Sequence, residues 1–325
     1  MRSRLLTLLP LLAMLAGCGG ASAVTPGAAT ARSGSQSAAS AATTSGSRSA
    51  PQATATVARR PDHRLVDRYP GVLTSRWQVM TRIGGRPALW IERRAGVTLV
   101  RIDQTLAHLA LHAGATDPGG SGWVYGSRIA GRELRRVILG VNGGFKFVTG
   151  AGGFVSFGRT GRPLVPGRGS IVTYRDGITD IGSWGQGVPA PGQRVASVRQ
   201  NLGLMIDQGR AVPSVASCGE GCWGATIGGA SAVARSGLGI QRNGRLIWAA
   251  GEGLTVGQLA AAMTGAGVVR AVELDINPDW VAGYLYVHRR HTGLEPIPVV
   301  PGQLGIYGHL LTPYARDFFT VLSNY

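Results

Sequence analysis

The stretch "RSGLGIQRNGRLIWAAGEGLTVGQLAAAMTGAGVVRAVELD", residues 235–275, holds three kinds of element in close succession. Two apolar runs flank Asn243-Gly244, the dipeptide that best supplies the positive φ angles of a tight hairpin turn. A helix signal follows. Thr255 and Gln258 have the spacing of a capping box, and Val256, Leu259 and Met263 form an apolar stripe that Gly265 or Gly267 can end. The last run continues as "AVELDINPDW", residues 271–280. As a strand it turns Val272, Leu274 and Ile276 to one face and Glu273, Asp275 and Asn277 to the other, stopping at Pro278. Hairpin, helix, strand is the local unit.

Outward from this unit, strand signals dominate. Gly-Gly and Ala-Gly turns divide "RWQVMTRIGGRPALWIERRAGVTLVRID" into short runs of Val, Ile, Leu and Trp, and "SIVTYRDGITDIGSW" reads as a hairpin around Asp176-Gly177. "RRVILGVNGGFKF" is an apolar strand entering a glycine turn, while "LAHLALHAGATDPGG" fits a strand or a helix. The expected fold is an α+β or mixed α/β domain, strand-rich, with a mixed sheet and few helices.

The N-terminus belongs to a different class. "MRSRLLTLLPLLAMLAGCGG" has a basic start and an apolar core too short to span a membrane, the layout of a signal peptide over residues 1–17. Leu15-Ala16-Gly17-Cys18 resembles a lipobox, which makes Cys18 the expected lipidated residue and lipid the expected anchor outside the cytoplasmic membrane. Residues 18–60 are mainly Ala, Ser, Thr, Gly and Gln, a composition that cannot bury enough surface to offset ordering entropy, and read as a disordered tether. Residues 61–325 remain for one domain.

The formal charge is +17, and every basic residue but Lys146 is arginine. Such a chain is drawn to anionic polymers or headgroups. An exported protein without a recognisable nucleic-acid motif is not expected to bind nucleic acid. Cys218 and Cys222, in "CGEGC", are expected to pair as a disulfide in an oxidising compartment. His108 and His112, and His288 and His291, lack the HExxH setting of a zinc site.

Three places carry candidate chemistry. Asn142-Gly143-Gly144-Phe145-Lys146 combines backbone N–H groups freed by glycine with an amide and a cation. Arg235, in Arg-Ser-Gly-Leu-Gly, is suited to two-point contact with a carboxylate or phosphate, although an arginine-rich chain has many solvated arginines. Glu273 and Asp275 on one strand face would push their pKa values apart, which suits acid–base work; a wet edge strand is the plainer explanation, and calcium also favours such ligands.

In this order the segments resemble the phosphodiester glycosidase family over about residues 95–325, with Asn142, Gly143 and Phe145 in an Asn-Gly-x-Phe motif and Arg235, Ser236 and Gly239 in Arg-(Thr/Ser)-x-x-Gly. "GGFVSFGRTGRPLVPG" is similar to another family stretch, and Leu274-Asp275 matches the start of Leu-Asp-Gly-Gly-Gly-Ser. Ile276-Asn277-Pro278-Asp279 replaces that motif's glycines and serine, which points to a distinct, actinobacterial-type branch. The resemblance implies hydrolysis of a sugar-1-phosphodiester, as in a cell-envelope polymer. It assigns Asp275 as general acid or base and Glu273 as its partner or a metal ligand. Arg235, Lys146, Asn142, Gly143, Gly144 and Asn277 would bind the phosphate. A lipoprotein that holds an anionic glycan without cleaving it is the alternative.

Overall fold

The computed structural model describes residues 77–325 except residue 292. The expected signal peptide, Cys18, the tether and residues 61–76 lie outside the described residues.

The hairpin–helix–strand unit builds the middle of an eight-stranded antiparallel sheet. Its strands run in the order Gln78–Ile83, Arg86–Arg94, Val97–Ile102, Leu246–Leu254, Val233–Gln241, Val268–Glu273, Leu204–Asp207 and Arg210–Ala211. Leu246–Leu254 and Val268–Glu273 flank Val233–Gln241, so the helix Val256–Gly265 crosses over that middle strand. Glycines make room for it. A Cβ on Gly239 would lie 2.5 Å from Val268 Cγ1 and 3.0 Å from Met263 Cε. The helix starts on its capping box, Gln258 N donating to Thr255 Oγ1 at 3.2 Å and Thr255 N to Gln258 Oε1 at 2.8 Å. Beyond its end Gly267 takes a φ of +81°. Leu259 and Met263 are fully buried against Leu99, Ile247 and Ala271, each contributing about 1.5–3 kcal/mol.

The opposite face of this sheet meets two others. One has five antiparallel strands in the order Gly293–Pro298, Gly283–Arg289, Val137–Asn142, Phe318–Ser323 and Ala107–His112. The other has six, in the order Gly187–Val188, Thr179–Trp184, Gly169–Tyr174, Val195–Gln200, Phe154–Ser156 and Arg159–Arg162. Only its Gly187–Val188 pair runs parallel to a neighbour, making this sheet mixed. The shared core takes Val100, Leu238 and Trp248 from the first sheet, Leu139 and Phe319 from the second, and Phe154 and Ile171 from the third.

The domain is mostly β, and the expected α+β or mixed α/β label fits only loosely. The ambiguous segment after Ile102 is the strand Ala107–His112, with Leu109 and Leu111 in the shared core. Two-sided burial makes such a strand read like a helix segment.

Candidate active site

Three strand ends converge on the site. Phe318 pairs with Asn142, and Gly237 pairs with Glu273, so the Asn-Gly-Gly turn, the residues before Phe318 and the end of the Val268–Glu273 strand come together. Ser236 fastens the last of these. Leu274 N donates to its carbonyl at 2.8 Å, and its own N–H donates to Asp275 O at 2.9 Å. Asn142 Nδ2 donates to Ser236 Oγ at 2.8 Å and so ties the five-stranded sheet to the eight-stranded one.

The opening strand stops earlier than its alternation predicts. Ladder pairing ends at Glu273. Asp275 Oδ1 instead accepts the N–H groups of Ile276 at 2.8 Å and Asn277 at 3.0 Å, turning the chain before Pro278. Val272 and Leu274 enter the shared core, whereas Ile276 packs with Phe145 and Ala151 in a separate small cluster.

This turn forms one wall of a cavity of about 370 Å³, lined by Phe145, Lys146, Asp275, Asn277, Trp280 and Arg316 among others. Gly221, Gly224 and Ala225 close another side. They belong to the loop carrying the Cys218–Cys222 disulfide, whose Cα atoms are 5.7 Å apart. Gly224 must be small there, because a Cβ would lie 2.6 Å from Phe145 Cε1 and 2.8 Å from Ile276 Cδ1.

Arg316 is the buried cation of the cavity. Its Nη2 donates to Gly144 O at 2.6 Å and to Asp275 Oδ2 at 3.3 Å, and its Nε lies 3.5 Å from Asp117 Oδ2. Its guanidinium carbon sits 4.7 Å from the Trp280 ring centroid, and the ammonium of Lys146 lies 5.6 Å from the same centroid. Lys146 is exposed and forms no ion pair among the described residues. Burial pushes the Asp275 carboxyl above the usual carboxylate range. Arg316 and the two N–H bonds restrain that rise, and Asp317 adds to it.

Glu273 faces elsewhere. It does not line the cavity; its Oε1 accepts from Arg235 Nη1 at 2.6 Å, and its buried Oε2 has no hydrogen-bond partner. Burial raises this carboxyl to about 7; the Arg235 contact opposes the rise and Asp275 adds to it. Arg235 is itself enclosed, donating from Nε to Leu254 O at 2.8 Å and from Nη2 to Ser231 O at 3.2 Å. The expected pair of acids is therefore divided, and the expected phosphate-binding arginine serves as the counter-ion of one of them.

The glycine turn is also occupied. Gly143 N donates to Asp317 O at 3.1 Å and Gly144 N to Asp317 Oδ2 at 3.3 Å, so neither faces the cavity as expected. A Cβ on Gly143 would fall 2.2 Å from Asp317 Oδ2, which is why the position needs glycine. Asp317 in turn holds Arg199 through contacts of 2.8 and 3.0 Å. Asn142 is buried in its bond to Ser236 and does not line the cavity. Of the expected site residues, Asp275, Asn277 and Lys146 meet there. Arg316 and Trp280 join them in the lining, while Asp117 stands behind Arg316, and Asp317 with Arg199 behind the glycine turn. Arg316-Asp317 shows in the sequence only as an opposite-charge pair before the apolar run "FFTVLS".

Among the described residues no three His, Cys, Asp or Glu side chains are grouped to hold a metal, and both Asp275 oxygens are already bonded within the protein.

No curated protein matches the chain. Among solved structures, the catalytic domain of zebrafish N-acetylglucosamine-1-phosphodiester alpha-N-acetylglucosaminidase, auto-inhibited by its pro-peptide, is similar at a TM-score of 0.46 and 14% identity, covering 77% of this chain and 82% of that one. A hypothetical protein from Synechocystis is similar at 0.44 and 14%, covering 74% and 63% of the two chains. A putative exported protein from Burkholderia pseudomallei is similar at 0.37 and 14%, covering 74% and 75%. The phosphodiester glycosidase family model matches residues 135–275, from just before the Val137–Asn142 strand to Asp275. Over that span the chain carries the sequence signature of the phosphodiester glycosidase family.

Proposed function

We propose that the protein is a hydrolase of sugar-1-phosphodiesters, exported and held to the membrane through lipid on Cys18, acting on a cell-envelope polymer. The observation that carries the chemistry is the meeting of a buried acid, Asp275, with two cations, Arg316 and Lys146, in one cavity. An acid whose pKa burial raises above the usual carboxylate range is better suited to give its proton to a leaving oxygen. Cations beside it stabilise the phosphate as negative charge grows there.

In this reading Asp275 donates a proton from Oδ2 to the oxygen bridging C1 and phosphorus. The C1–O bond breaks, a phosphomonoester departs, and water adds to the positively charged sugar carbon. The water's proton returns to Asp275, restoring the acid. Arg316 and Lys146 hold the phosphate, with the Asn277 side chain beside them. Glu273 stands at one remove, as the partner of Arg235. Release of free sugar from methyl diesters of hexose 1-phosphates by purified protein tests the proposal. Inactivity of wild type across gluco, manno, galacto and N-acetylgluco forms would overturn it.

The competing reading, an anionic-glycan binder without turnover, draws on one observation: Asp275 is engaged as a structural carboxylate, its Oδ1 accepting the N–H groups of Ile276 and Asn277 and its Oδ2 facing Arg316. Equal ligand binding by wild type and Asp275→Asn, with no product from either, would select it.

A further inference from the structure

Every backbone N–H group from Ile276 to Val281 is already used, apart from Pro278, which has none. Ile276 and Asn277 donate to Asp275 Oδ1, Asp279 donates to Asn277 Oδ1 at 2.9 Å, and Trp280 and Val281 donate to Asn277 O at 2.9 and 3.0 Å. On the other wall, Gly143 and Gly144 donate to Asp317, and Phe145 N donates to Asn201 Oδ1 at 3.2 Å. These segments have no amide left for an anion. On these two walls side chains are left to do that work.

Two cations in the cavity are available, and one ring lies against both. Arg316 approaches the Trp280 centroid to 4.7 Å and Lys146 to 5.6 Å, within the range over which a ring quadrupole attracts a cation. Arg316 has further restraints in Gly144 O, Asp275 and Asp117. Among the described residues the Lys146 ammonium has no acidic partner, so the indole is the contact that limits where it points. Without it, a flexible four-carbon stem would leave the charge in solvent.

We propose that Trp280 is a positioning residue that gathers Lys146 and Arg316 into a side-chain clamp for a phosphate anion. The proposal rests on the functional reading only in placing phosphate in this cavity. The anion is the diester group of a substrate or the monoester of a product, and the clamp's chemistry is common to both. Trp280 acts through the cations and needs no contact with the reacting atoms.

The chain's single lysine makes this measurable without turnover. Lysine labelled with ¹³C at Cε gives one side-chain resonance, that of Lys146. In wild type it is expected to show a ring-current shift that Trp280→Ala removes and Trp280→Phe largely keeps. Titration with inorganic phosphate and, separately, dimethyl phosphate is expected to move it saturably. Trp280→Ala should weaken binding about fivefold or more, and Trp280→Phe by less, in line with loss of cation–π contacts. Response to dimethyl phosphate assigns the clamp to the diester, and response to inorganic phosphate alone assigns it to the product; either supports the clamp. A wild-type resonance insensitive to Trp280→Ala, no response to either anion, or equal binding by wild type and Trp280→Ala would overturn it. Failure of the enzyme reading shows separately, as absence of turnover with these anion responses intact.

Discussion

Asp275 and Arg316 meet at 3.3 Å in the cavity wall, the acid from just beyond one sheet's strand and the cation from just before another's. Each is almost fully buried. The contact is too long to be a strong charge-assisted bond, and Asp275 has its other oxygen on two backbone N–H groups. Oδ2 is therefore the oxygen left to exchange a proton, while Arg316 keeps its orientation through Gly144 O.

Asp275→Asn keeps the shape of the turn but cannot donate an acidic proton. Turnover of a reactive hexose-1-phosphate diester should fall by about 10²–10⁴-fold, with KM changed much less. In ¹⁸O-labelled water the wild-type product should carry label on the sugar and none on the phosphate. Label on phosphate would show phosphorus–oxygen cleavage and remove the glycosidase assignment. Because burial raises the Asp275 pKa and its protonated form is the active one, kcat should fall as pH rises through that pKa. That descending limb should lie above the ordinary aspartate range.

Much of the frame was legible in residues 235–275. The Asn-Gly turn, the capping box and the apolar stripe each have a local physical cause, and hairpin, helix and strand form where those causes place them. The site was only partly legible, because its decisive contacts are long-range. Arg235 and Arg316 look alike in sequence, yet one is enclosed by Leu254 O and Ser231 O and the other borders a cavity. Strand alternation placed Glu273 and Asp275 together. The side-chain bonds of Asp275 to Ile276 and Asn277 ended the strand between them, a competition that strand periodicity does not register.

Arg235→Met should behave as a folding variant. It leaves Glu273 buried without its cation and should cost about 3–5 kcal/mol in denaturant unfolding. The double variant Arg235→Met, Glu273→Gln should recover part of that loss, since no unpaired charge remains. Dimethyl phosphate binding by the folded fraction of Arg235→Met should match wild type. A selective loss of anion binding with stability unchanged would return Arg235 to the phosphate-binding role expected from its motif.

Glu273 also ties stability to pH. Its pKa rises from the ordinary carboxylate value of 4.5 to about 7 on folding, so the folded protein holds this proton more tightly than the unfolded chain. The contribution is fully present below pH 4.5 and is lost as pH rises through about 7. Thermal midpoints should accordingly carry a downward component between those limits. Glu273→Gln should flatten that component, so that any loss of midpoint against wild type is largest at low pH and shrinks as pH rises through about 7. An unchanged pH slope in the variant would show that Glu273 stays ionised on folding.

The disulfide gives the last prediction its handle. Cys218 and Cys222 close a short loop whose following residues, Gly224 and Ala225, line the cavity together with Gly221 inside it. A chain-entropy estimate for so short a loop is about 2 kcal/mol, little beside the stability of a core spread over three sheets. The larger consequence is local. Gly224 packs where a Cβ would strike Phe145 and Ile276, so a loosened loop loses its seat against both cavity walls. Reduction, or Cys218→Ser with Cys222→Ser, should raise KM several-fold while leaving kcat and the global unfolding midpoint close to wild type. A fall in kcat at constant KM would mean instead that the loop fixes Asp275, through Ile276, in the geometry that transfers the proton.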